Sequence, residues 1–434
     1  MDLKVKKSQK PLQGAIRPES DKSISQRLIL FSLLTEEECV FEKISSALDP
    51  RSALSAAACL GLEYRLENDT LFAKGPGIAG LKEPDRPIYC GNSGTLMRLL
   101  MGLLAPSRIF AVLYGDHSLN NRPMARIAEP LRDMGAVIHT RRGGLAPIAV
   151  VGGDLKGTDF TLPVASAQLK SAVILASLHS EGQSRVIEPI PSRDHTERIL
   201  AHMGAEITRQ GSEIIIEPGR KLSGIKMKVG GDFSSAAFFI GAGLLGEGSE
   251  IILDDVNLNP TRTGLLKVLE RMGASLVVDE TEDVEPIGRI KVASENLCGT
   301  VVESVEVPLL IDEIPLLAVL AAAAEGTTTI CGVSELKVKE SDRLSGIAEL
   351  VRLLGRECAI KGEGKNLTLE IYGRPGEFEG GTYDPKFDHR LAMAACVAGL
   401  NSPEGITVLN AECAEVSQPQ FYSELKRLGA QIEE

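Results

Sequence analysis

One short signature recurs six times along the chain, and it limits the folds that the sequence can adopt. In each copy an amphipathic helical pattern ends at Leu-Gly or Met-Gly, and an alternating strand pattern follows. This spacing divides the 434 residues into six segments of about 72 residues. The glycines, each predicted to be the left-handed residue that closes a helix, are Gly61, Gly135, Gly204, Gly273, Gly355 and Gly429.

Each segment also contains an earlier helix of small apolar residues. Such a helix is nearly apolar all round, which is typical of helices packed inside a domain. The six are predicted at residues 24–34, 96–104, 169–178, 236–245, 316–324 and 391–400. Each segment therefore has the order helix, strand, helix, strand, strand. Because six segments do not easily share one core, the sequence predicts an α/β (α+β) fold with two domains of three repeats each.

Composition argues against several classes of function. The formal net charge of -12 disfavours non-specific nucleic-acid binding. The longest apolar run, residues 314–324, contains Pro315 and is too short to span a bilayer. The eight cysteines form no Cys-x-x-Cys pair and the six histidines form no His-x-x-x-His pair, so free buried thiols and no metal site are predicted. We therefore expect a cytoplasmic protein without a membrane anchor.

Polar and charged clusters precede the apolar helices and several of the second helices. Ser, Thr, Asp and Asn are ordinary residues at helix starts because they cap the free N–H groups. Cations are not, since the amino end of a helix dipole is positive. The basic residues at these starts are Lys22, Arg27, Arg122, Arg193, Lys339, Arg343 and Arg390. If the helices of a domain point toward a common end, these residues predict a crevice for multiply charged anions.

The densest cluster is the run Lys337-Val338-Lys339-Glu340-Ser341-Asp342-Arg343, which precedes an amphipathic helix in the fifth repeat. Ser341 is expected to cap that helix, with Asp342 in its first turn. Taken alone, such a run is typical of a solvated helix start. Its place among similar clusters in all six repeats instead favours one wall of the anion-binding crevice.

Two glycine-rich stretches match parts of nucleotide-binding motifs without meeting their requirements. Residues 75–80 match Gly-x-Gly-x-x-Gly, but Pro84 and Pro87 follow where the motif needs a helix, so a loop is expected. Residues 91–95 lack the Lys-Ser/Thr pair of a Walker motif. Their backbone N–H groups can still face an anion.

An ordered set of motifs spans nearly the whole chain: Asp21-Lys22-Ser23-Ile24-Ser25-Gln26-Arg27, Gly91-Asn92-Ser93-Gly94-Thr95, Arg122-Pro123-Met124, Ala165-Ser166-Ala167-Gln168, the run ending at Arg343, and Asp388-His389-Arg390. With these motifs the sequence resembles the enolpyruvyl transferases, and among them the branch that acts on shikimate 3-phosphate. The resemblance implies two globular domains of the inverse α/β barrel type, with the active site in the cleft between them. It places repeats 1–3 in residues 20–232, and repeats 4–6 in residues 1–19 and 233–434.

The implied reaction transfers the enolpyruvyl group of phosphoenolpyruvate to the 5-hydroxyl of shikimate 3-phosphate and releases phosphate. The resemblance implies no cofactor and no metal ion, and a monomer is expected. It carries over three catalytic residues. Asp312 is the expected base for the hydroxyl, Glu340 the group that exchanges a proton with the methylene carbon, and Lys22 a group that assists either step.

The resemblance also assigns the substrate contacts. Shikimate 3-phosphate is expected to contact Lys22, Ser23, Arg27, Ser166, Gln168, Arg193, Asp312 and Lys339. Phosphoenolpyruvate is expected to contact Lys22, Gly94, Arg122, Gln168, Arg343 and Arg390.

Three positions differ among members of the family, and the residues found here are informative. Ala167 replaces a serine found in another class of the family, and Val416 stands where some members have a lysine that contacts phosphoenolpyruvate. Gly94 is retained where herbicide-insensitive members have alanine. Without that methyl group the pocket is expected to admit glyphosate, with inhibition on the order of micromolar concentrations.

Two alternative functions remain open at the level of sequence. The related transferase that acts on UDP-N-acetylglucosamine has the same architecture, but it normally has a reactive cysteine in a cleft loop. No cysteine lies beside Arg122-Pro123-Met124. A non-catalytic anion-binding repeat protein needs the cations but not Asp312 and Glu340, because carboxylates oppose anion binding.

Overall fold

The structure, a computed structural model, describes residues 1–281 and 283–434. The chain divides into two compact units. The continuous unit comprises Ser20–Val229. The discontinuous unit comprises Met1–Glu19 and Gly230–Glu434.

Residues 230–232 lie in the discontinuous unit, whereas the family resemblance implied that they end the continuous one. The backbone N–H of Asp232 donates to the carbonyl of Glu19 at 2.7 Å. The N–H of Gly231 donates to the carbonyl of Asp255 at 2.6 Å. These hydrogen bonds attach the segment to strands and loops of the discontinuous unit.

The α-helices and strands alternate along the whole chain. The helices are α1 (Lys22–Ser32), α2 (Leu48–Cys59), α3 (Gly94–Leu104), α4 (His117–Asn120), α5 (Ala125–Asp133), α6 (Ala167–Ser177), α7 (His195–His202), α8 (Phe233–Leu245), α9 (Gly264–Arg271), α10 (Ile314–Ala323), α11 (Arg343–Leu353), α12 (His389–Gly399) and α13 (Phe421–Leu428). The strands are β1 (Leu3–Lys6), β2 (Gln13–Ile16), β3 (Cys39–Glu42), β4 (Glu63–Glu67), β5 (Thr70–Lys74), β6 (Ile88–Tyr89), β7 (Phe110–Tyr114), β8 (Val137–Arg141), β9 (Leu145–Val151), β10 (Asp159–Thr161), β11 (Ser184–Ile187), β12 (Glu206–Gln210), β13 (Glu213–Glu217), β14 (Lys226–Lys228), β15 (Glu250–Asn257), β16 (Leu276–Glu280), β17 (Ile287–Ala293), β18 (Val301–Val302), β19 (Gly326–Cys331), β20 (Glu357–Lys361), β21 (Thr368–Gly373), β22 (Gly381–Tyr383), β23 (Ile406–Val408) and β24 (Gln431–Glu433).

Within the described residues, each unit contains three four-stranded sheets of one pattern, in which one outer pair is parallel and the other two pairs are antiparallel. The continuous unit has the strand orders β14-β3-β5-β4, β6-β7-β9-β8 and β10-β11-β13-β12. The discontinuous unit has the orders β2-β15-β17-β16, β18-β19-β21-β20 and β22-β23-β1-β24. The predicted α/β (α+β) fold class, with three repeats of helices and strands in each unit, is therefore confirmed.

Some sheets are completed by strands from distant parts of the chain. β14, at the end of the continuous unit, pairs in parallel with β3 and sets Met227 opposite Phe41. β1 lies between β23 and β24, where Val5 faces Ile406 on one side and Ile432 on the other. The amino-terminal segment is therefore an integral part of the discontinuous unit.

The apolar helices form the cores. α1, α3 and α6 are buried in the continuous unit, and α8, α10 and α12 are buried in the discontinuous unit. All six were predicted, and each begins two or three residues earlier than the apolar pattern indicated. The six helix-closing glycines have φ between 68° and 113°, which confirms the left-handed conformation expected of them. None of the described helices is both long enough and apolar enough to cross a membrane.

All eight cysteines are free thiols. Cys39, Cys90, Cys396 and Cys413 are buried, as expected, but Cys298 is exposed. The prediction of a buried thiol was wrong there because the adjacent side chain, Leu297, enters the core and leaves Cys298 facing solvent.

Candidate active site

The amino-terminal ends of α1, α3 and α6 gather the predicted residues of the continuous unit. Asp21 caps α1, because its carboxylate accepts hydrogen bonds from the N–H groups of Ser23 at 2.7 Å and Ile24 at 2.9 Å. Ser93 and Ser166 cap α3 and α6 through their hydroxyl oxygens. The polar clusters thus hold the helix starts in place, and the basic residues extend from these starts.

Lys22 and Arg27 both lie on α1, five residues apart. The Nζ of Lys22 is 3.3 Å from the carboxylate of Asp49 on α2. Arg27 is 2% exposed and donates from Nε to the hydroxyl of Thr196 at 2.8 Å and from Nη1 to the carbonyl of Ser23 at 2.9 Å. These contacts fix the guanidinium of Arg27 beside Ser23, the residue with which it is predicted to bind the same substrate.

A second group brings together Gly94, Arg122 and Gln168. Arg122 donates from Nη2 to the side-chain oxygen of Asn92 and, at 3.3 Å, to the hydroxyl of Ser118. A Cβ atom on Gly94 would lie 3.5 Å from Nη1 of Arg122, so the start of α3 lies close to this cation. Three residues assigned to phosphoenolpyruvate from sequence motifs therefore cluster around α3.

Arg98 belongs to the same group and was missed in the sequence. It is 8% exposed on α3, and it donates from Nη1 to the side-chain oxygen of Gln168. The amide nitrogen of Gln168 in turn donates to the hydroxyl of Thr95 at 2.9 Å. The sequence did contain a signal for it, because Arg98 is a charged residue inside the apolar run of residues 96–104.

Ser166 and Arg193 lie next to a buried ionic cluster. Lys170, on α6, is fully buried between the carboxylates of Glu188 at 3.0 Å and Glu197 at 2.8 Å. Burial raises the pKa of Glu197, and the charge of Lys170 opposes that shift. Glu188 also accepts hydrogen bonds from the N–H and the hydroxyl of Ser192. The cluster therefore anchors the loop that carries Arg193, which is half-buried.

In the discontinuous unit, Arg343 is the centre of a charged constellation. Its side chain is 1% exposed and binds three carboxylates: Nε donates to Asp388 at 2.8 Å, Nη1 donates to Asp312 at 3.2 Å, and Nη2 donates to Glu340. Burial lowers the pKa of Arg343, but the charges of Asp388, Glu340 and Asp312 outweigh it, so the net shift is upward. Arg343 is held as a permanent cation with every nitrogen engaged.

Asp312, just before α10, sits among three arginines. Its Oδ1 atom accepts from Arg343, and its Oδ2 atom is 3.5 Å from Nη2 of Arg390 and 3.9 Å from Nη1 of Arg262. The backbone carbonyl of Asp312 also accepts from Arg390 at 3.2 Å. The structure thus brings Asp312, Glu340, Arg343 and Arg390 together. Lys339 is half-buried beside Glu340 in the chain, at the end of a short 3-10 helix, Val333–Val338.

The start of α11 differs from the sequence expectation. The helix begins at Arg343, so Asp342 is the cap, and its carboxylate accepts from the N–H of Ser345 at 3.2 Å and from its hydroxyl at 2.8 Å. Ser341, the predicted cap, instead donates its hydroxyl to Asp388 at 3.0 Å. The prediction placed the helix start one residue too early, because Asp and Ser are equally good caps in sequence.

The structure also corrects the reason given for the basic residues at helix starts. Lys22 and Arg343 do not need an external anion to balance their charges, because Asp49 and the carboxylates around Arg343 already do so. An anionic ligand would therefore compete with these carboxylates for the cations.

Residues 75–80 form a loop that ends in a single 3-10 turn, Ile78–Gly80, as expected. A Cβ atom on Gly75 would lie 1.9 Å from the carbonyl oxygen of Ser32. Glycine is required here because the loop packs against the end of α1. The match to a nucleotide fingerprint thus has a packing explanation.

Comparison with known proteins places this arrangement in a family. The profile of the family described as EPSP synthase (3-phosphoshikimate 1-carboxyvinyltransferase) matches residues 6–433. A 3-phosphoshikimate 1-carboxyvinyltransferase of Thermotoga neapolitana is 43% identical over 423 residues, which cover 96% of this chain and 98% of that protein. One of Thermus thermophilus is 46% identical over 425 residues, with 97% of each chain covered.

A solved structure supports the same assignment. The EPSP synthase from Acinetobacter baumannii superimposes with a TM-score of 0.88 at 38% identity, over 100% of both chains. Sequence identity and fold therefore agree along the full length of the chain. The chain belongs to the EPSP synthase (3-phosphoshikimate 1-carboxyvinyltransferase) family of transferases.

Proposed function

We propose that this chain transfers the enolpyruvyl group of phosphoenolpyruvate to the 5-hydroxyl of shikimate 3-phosphate and releases inorganic phosphate. The observation that carries the proposal is the binding of two carboxylates, Asp312 and Glu340, to one buried guanidinium, that of Arg343. A reaction that removes one proton and adds another needs two acid–base groups held in fixed positions. Family membership supplies the identity of the two substrates.

The proposed reaction is an addition followed by an elimination. Asp312 accepts the proton of the 5-hydroxyl, whose oxygen forms a bond to C2 of phosphoenolpyruvate while Glu340 protonates C3. The resulting tetrahedral intermediate carries a methyl group. Glu340 then takes a proton back from that methyl group, the bond from C2 to the phosphate oxygen breaks, and the proton on Asp312 leaves with phosphate. Lys22 is proposed to assist either proton transfer.

Glu340 must hold a proton before it can donate one, whereas its contact with Arg343 favours the carboxylate form. The charged groups of phosphoenolpyruvate compete for Arg343 and for Arg390. We therefore expect substrate binding to loosen the ion pair between Glu340 and Arg343 and to leave Glu340 able to accept a proton. This competition follows from the full occupation of the Arg343 nitrogens in the structure.

The substrate contacts proposed here are those carried over from the sequence motifs. For shikimate 3-phosphate they are Lys22, Ser23, Arg27, Ser166, Gln168, Arg193, Asp312 and Lys339. For phosphoenolpyruvate they are Lys22, Gly94, Arg122, Gln168, Arg343 and Arg390. The grouping of Gly94, Arg122 and Gln168 around α3, and of Arg343 and Arg390 around Asp312, supports the second set. The proposed location is the cytoplasm and the proposed oligomeric state is a monomer.

The proposal is tested by measuring phosphate release from phosphoenolpyruvate with each of two acceptors. Release is expected with shikimate 3-phosphate and not with UDP-N-acetylglucosamine. The variant Asp312→Asn should lower kcat by at least about 100-fold, because an amide cannot accept the hydroxyl proton. Asp342→Asn is the matched control: it makes the same chemical change at a helix cap, where asparagine serves equally well.

Each contrary result has a distinct meaning. Release with the UDP sugar alone would establish the alternative transferase. Binding of both substrates without release with either acceptor would establish a non-catalytic anion-binding protein. Full activity of Asp312→Asn would remove Asp312 from the chemistry while leaving the overall reaction in place.

A further inference from the structure

We infer that Arg262 is a positioning residue that holds the carboxylate of Asp312 in its working orientation. The inference rests on the proposed function, in which Asp312 is the base. Arg262 precedes α9 and is 2% exposed. Its Nη2 atom donates to the carboxylate of Asp232 at 2.8 Å and to the hydroxyl of Ser234 at 2.9 Å. Its Nη1 atom lies 3.9 Å from Oδ2 of Asp312.

Capping of α8 does not by itself explain why a buried arginine occupies position 262. Asp232 already caps that helix by accepting from the N–H of Ser234 at 2.8 Å. A positive group at the amino end of a helix opposes the helix dipole. A buried arginine also loses its hydration, so an apolar residue of similar volume generally serves stability as well or better. The second contact, to Asp312, supplies a reason for the cation.

The segment that carries Arg262 is firmly held. The side-chain amides of Asn257 and Asn259 both donate to the buried carboxylate of Glu285, at 3.2 Å and 3.1 Å. The side-chain oxygen of Asn259 accepts from the N–H of Thr261, and the N–H of Arg262 donates to the carbonyl of Asn259, both at 2.8 Å. Arg262 is thus presented by a segment fixed through buried hydrogen bonds, which is what a positioning role requires.

The arginines around Asp312 differ in the task that the proposed function gives them. Arg343 and Arg390 are proposed to bind phosphoenolpyruvate, so their contacts with Asp312 change when that substrate arrives. Arg262 has no proposed substrate contact. One of its terminal nitrogens pairs with Asp232, and the other faces Asp312. It is the cation that remains with Asp312 throughout the reaction. Other charged groups surround Asp312 indirectly. Glu340 and Asp388 form ion pairs with Arg343, and Glu313 lies 3.9 Å from Arg390.

The experiment compares the dependence of kcat on pH in the wild type, Arg262→Lys and Arg262→Gln. Asp312 must be ionised to act as a base, so activity falls as the pH drops and the carboxylate gains a proton. Loss of a neighbouring cation makes that protonation easier. Arg262→Gln should therefore move the acid limb upward by about one pH unit. KM for both substrates should stay within about twofold, because KM would change only if a direct substrate contact were lost. Arg262→Lys should keep most of the wild-type pH profile, because it keeps the positive charge.

A double variant guards against failure of Arg262→Gln to fold. Arg262→Gln combined with Asp232→Asn removes both members of the buried pair, so no uncompensated charge is left in the core. The acid limb of this double variant should show the same upward shift. If its acid limb coincides with that of the wild type while Asp312→Asn is inactive, the role of Arg262 is refuted and the proposed function stands. If Asp312→Asn is itself fully active, the role of Arg262 fails together with the proposed role of Asp312, and the overall reaction stands.

Discussion

At the scale of single residues, Arg343 shows how one buried side chain joins stability to proposed chemistry. Its three nitrogens bind Asp388, which caps α12, Asp312, which precedes α10, and Glu340, which precedes α11. One guanidinium therefore connects the starts of three helices and orients both proposed acid–base groups. Its planar fork of donors is suited to this task, and a lysine in its place would offer only a single ammonium group.

Gly94→Ala tests the packing of the proposed phosphoenolpyruvate contacts. The added Cβ atom would lie 3.3 Å from Nη1 of Arg98 and 3.5 Å from Nη1 of Arg122, and both are ends of flexible side chains. The fold should persist while the side chain of Arg98 moves by a few tenths of an ångström and Arg122 gains an ordinary van der Waals contact. We expect KM for phosphoenolpyruvate to rise about tenfold, a change of about 1.4 kcal/mol, with a smaller effect on kcat.

Glyphosate gives the same variant a second readout. We expect the wild type to be inhibited at micromolar concentrations, as an order of magnitude for a well-matched small anion. Gly94→Ala should be inhibited at least about tenfold less, because the methyl group occupies space beside Arg98 and Arg122. Undiminished turnover of the wild type at millimolar glyphosate would contradict this account of Gly94.

The cysteines provide a test of burial and of thiol chemistry. Burial raises the pKa of Cys396 to about 12, and burial, with the charges of Asp388 and Glu412, raises that of Cys413 to about 12. The thiolate is the reactive form, so these thiols should not react with iodoacetamide at pH 8 in the folded protein. Cys298 is exposed and should be labelled first. Mass spectrometry before and after unfolding checks both statements; early labelling of Cys396 would be inconsistent with the structure.

Most residues of the proposed site could be named from the sequence, because helix-start motifs identify residue types without knowledge of their partners. The residues that were missed are buried charges in other settings: Arg98 on α3, Lys170 on α6 and Arg262 in the loop before α9. A charge within an apolar helix indicates that some partner exists. It does not indicate which one, since Glu188 and Glu197 meet Lys170 only after α6 and α7 pack together.

At the scale of helices and strands, the closest approach of α3 and α6 depends on one glycine. A Cβ atom on Gly102 would lie 2.2 Å from the backbone carbonyl oxygen of Ala172, which cannot move without displacing α6. Gly102→Ala should lower the free energy of unfolding by about 2 kcal/mol or more, although alanine favours an isolated helix by about 1 kcal/mol. Urea unfolding measures the difference.

Gly153→Ala is the matched control for Gly102→Ala and for Gly94→Ala. Its added Cβ atom would meet only the carbonyl of Gly135, at 3.8 Å, and its backbone is not left-handed. It should unfold within about 0.5 kcal/mol of the wild type. Equal stability of Gly102→Ala and Gly153→Ala would show that the two helices are farther apart than the structure places them.

Helix positions were predictable because the apolar runs and the closing glycines are local signals. The amino-terminal bounds were late by two or three residues, since the polar clusters themselves form the first turns, as Lys22 and Ser23 do in α1. The choice between Ser341 and Asp342 as the cap of α11 was not predictable. It depends on the hydrogen bond from Ser341 to Asp388, a residue of the following repeat.

At the scale of the whole molecule, the sixfold repeat predicted the number of sheets but not how they are completed. β1 and β2 enter sheets with strands from the fourth and sixth repeats, and β14 returns to the first. Such pairings join strands that lie far apart in the chain, as Lys226 and Val40 do, so no local pattern encodes them. The same limit applies to the Asp312 constellation, in which Arg262, Arg343 and Arg390 come from three different repeats.

The measurement that tests the central claim most directly is isotope incorporation during turnover in D₂O. If the reaction proceeds by addition and elimination, C3 of the enolpyruvyl group becomes a methyl group that gains one deuteron and then loses one of its three hydrogens. The product formed with shikimate 3-phosphate should therefore carry deuterium in its methylene group, as read by mass spectrometry. Product that forms at the normal rate with no deuterium in the methylene group would contradict the addition–elimination route and the proposed role of Glu340.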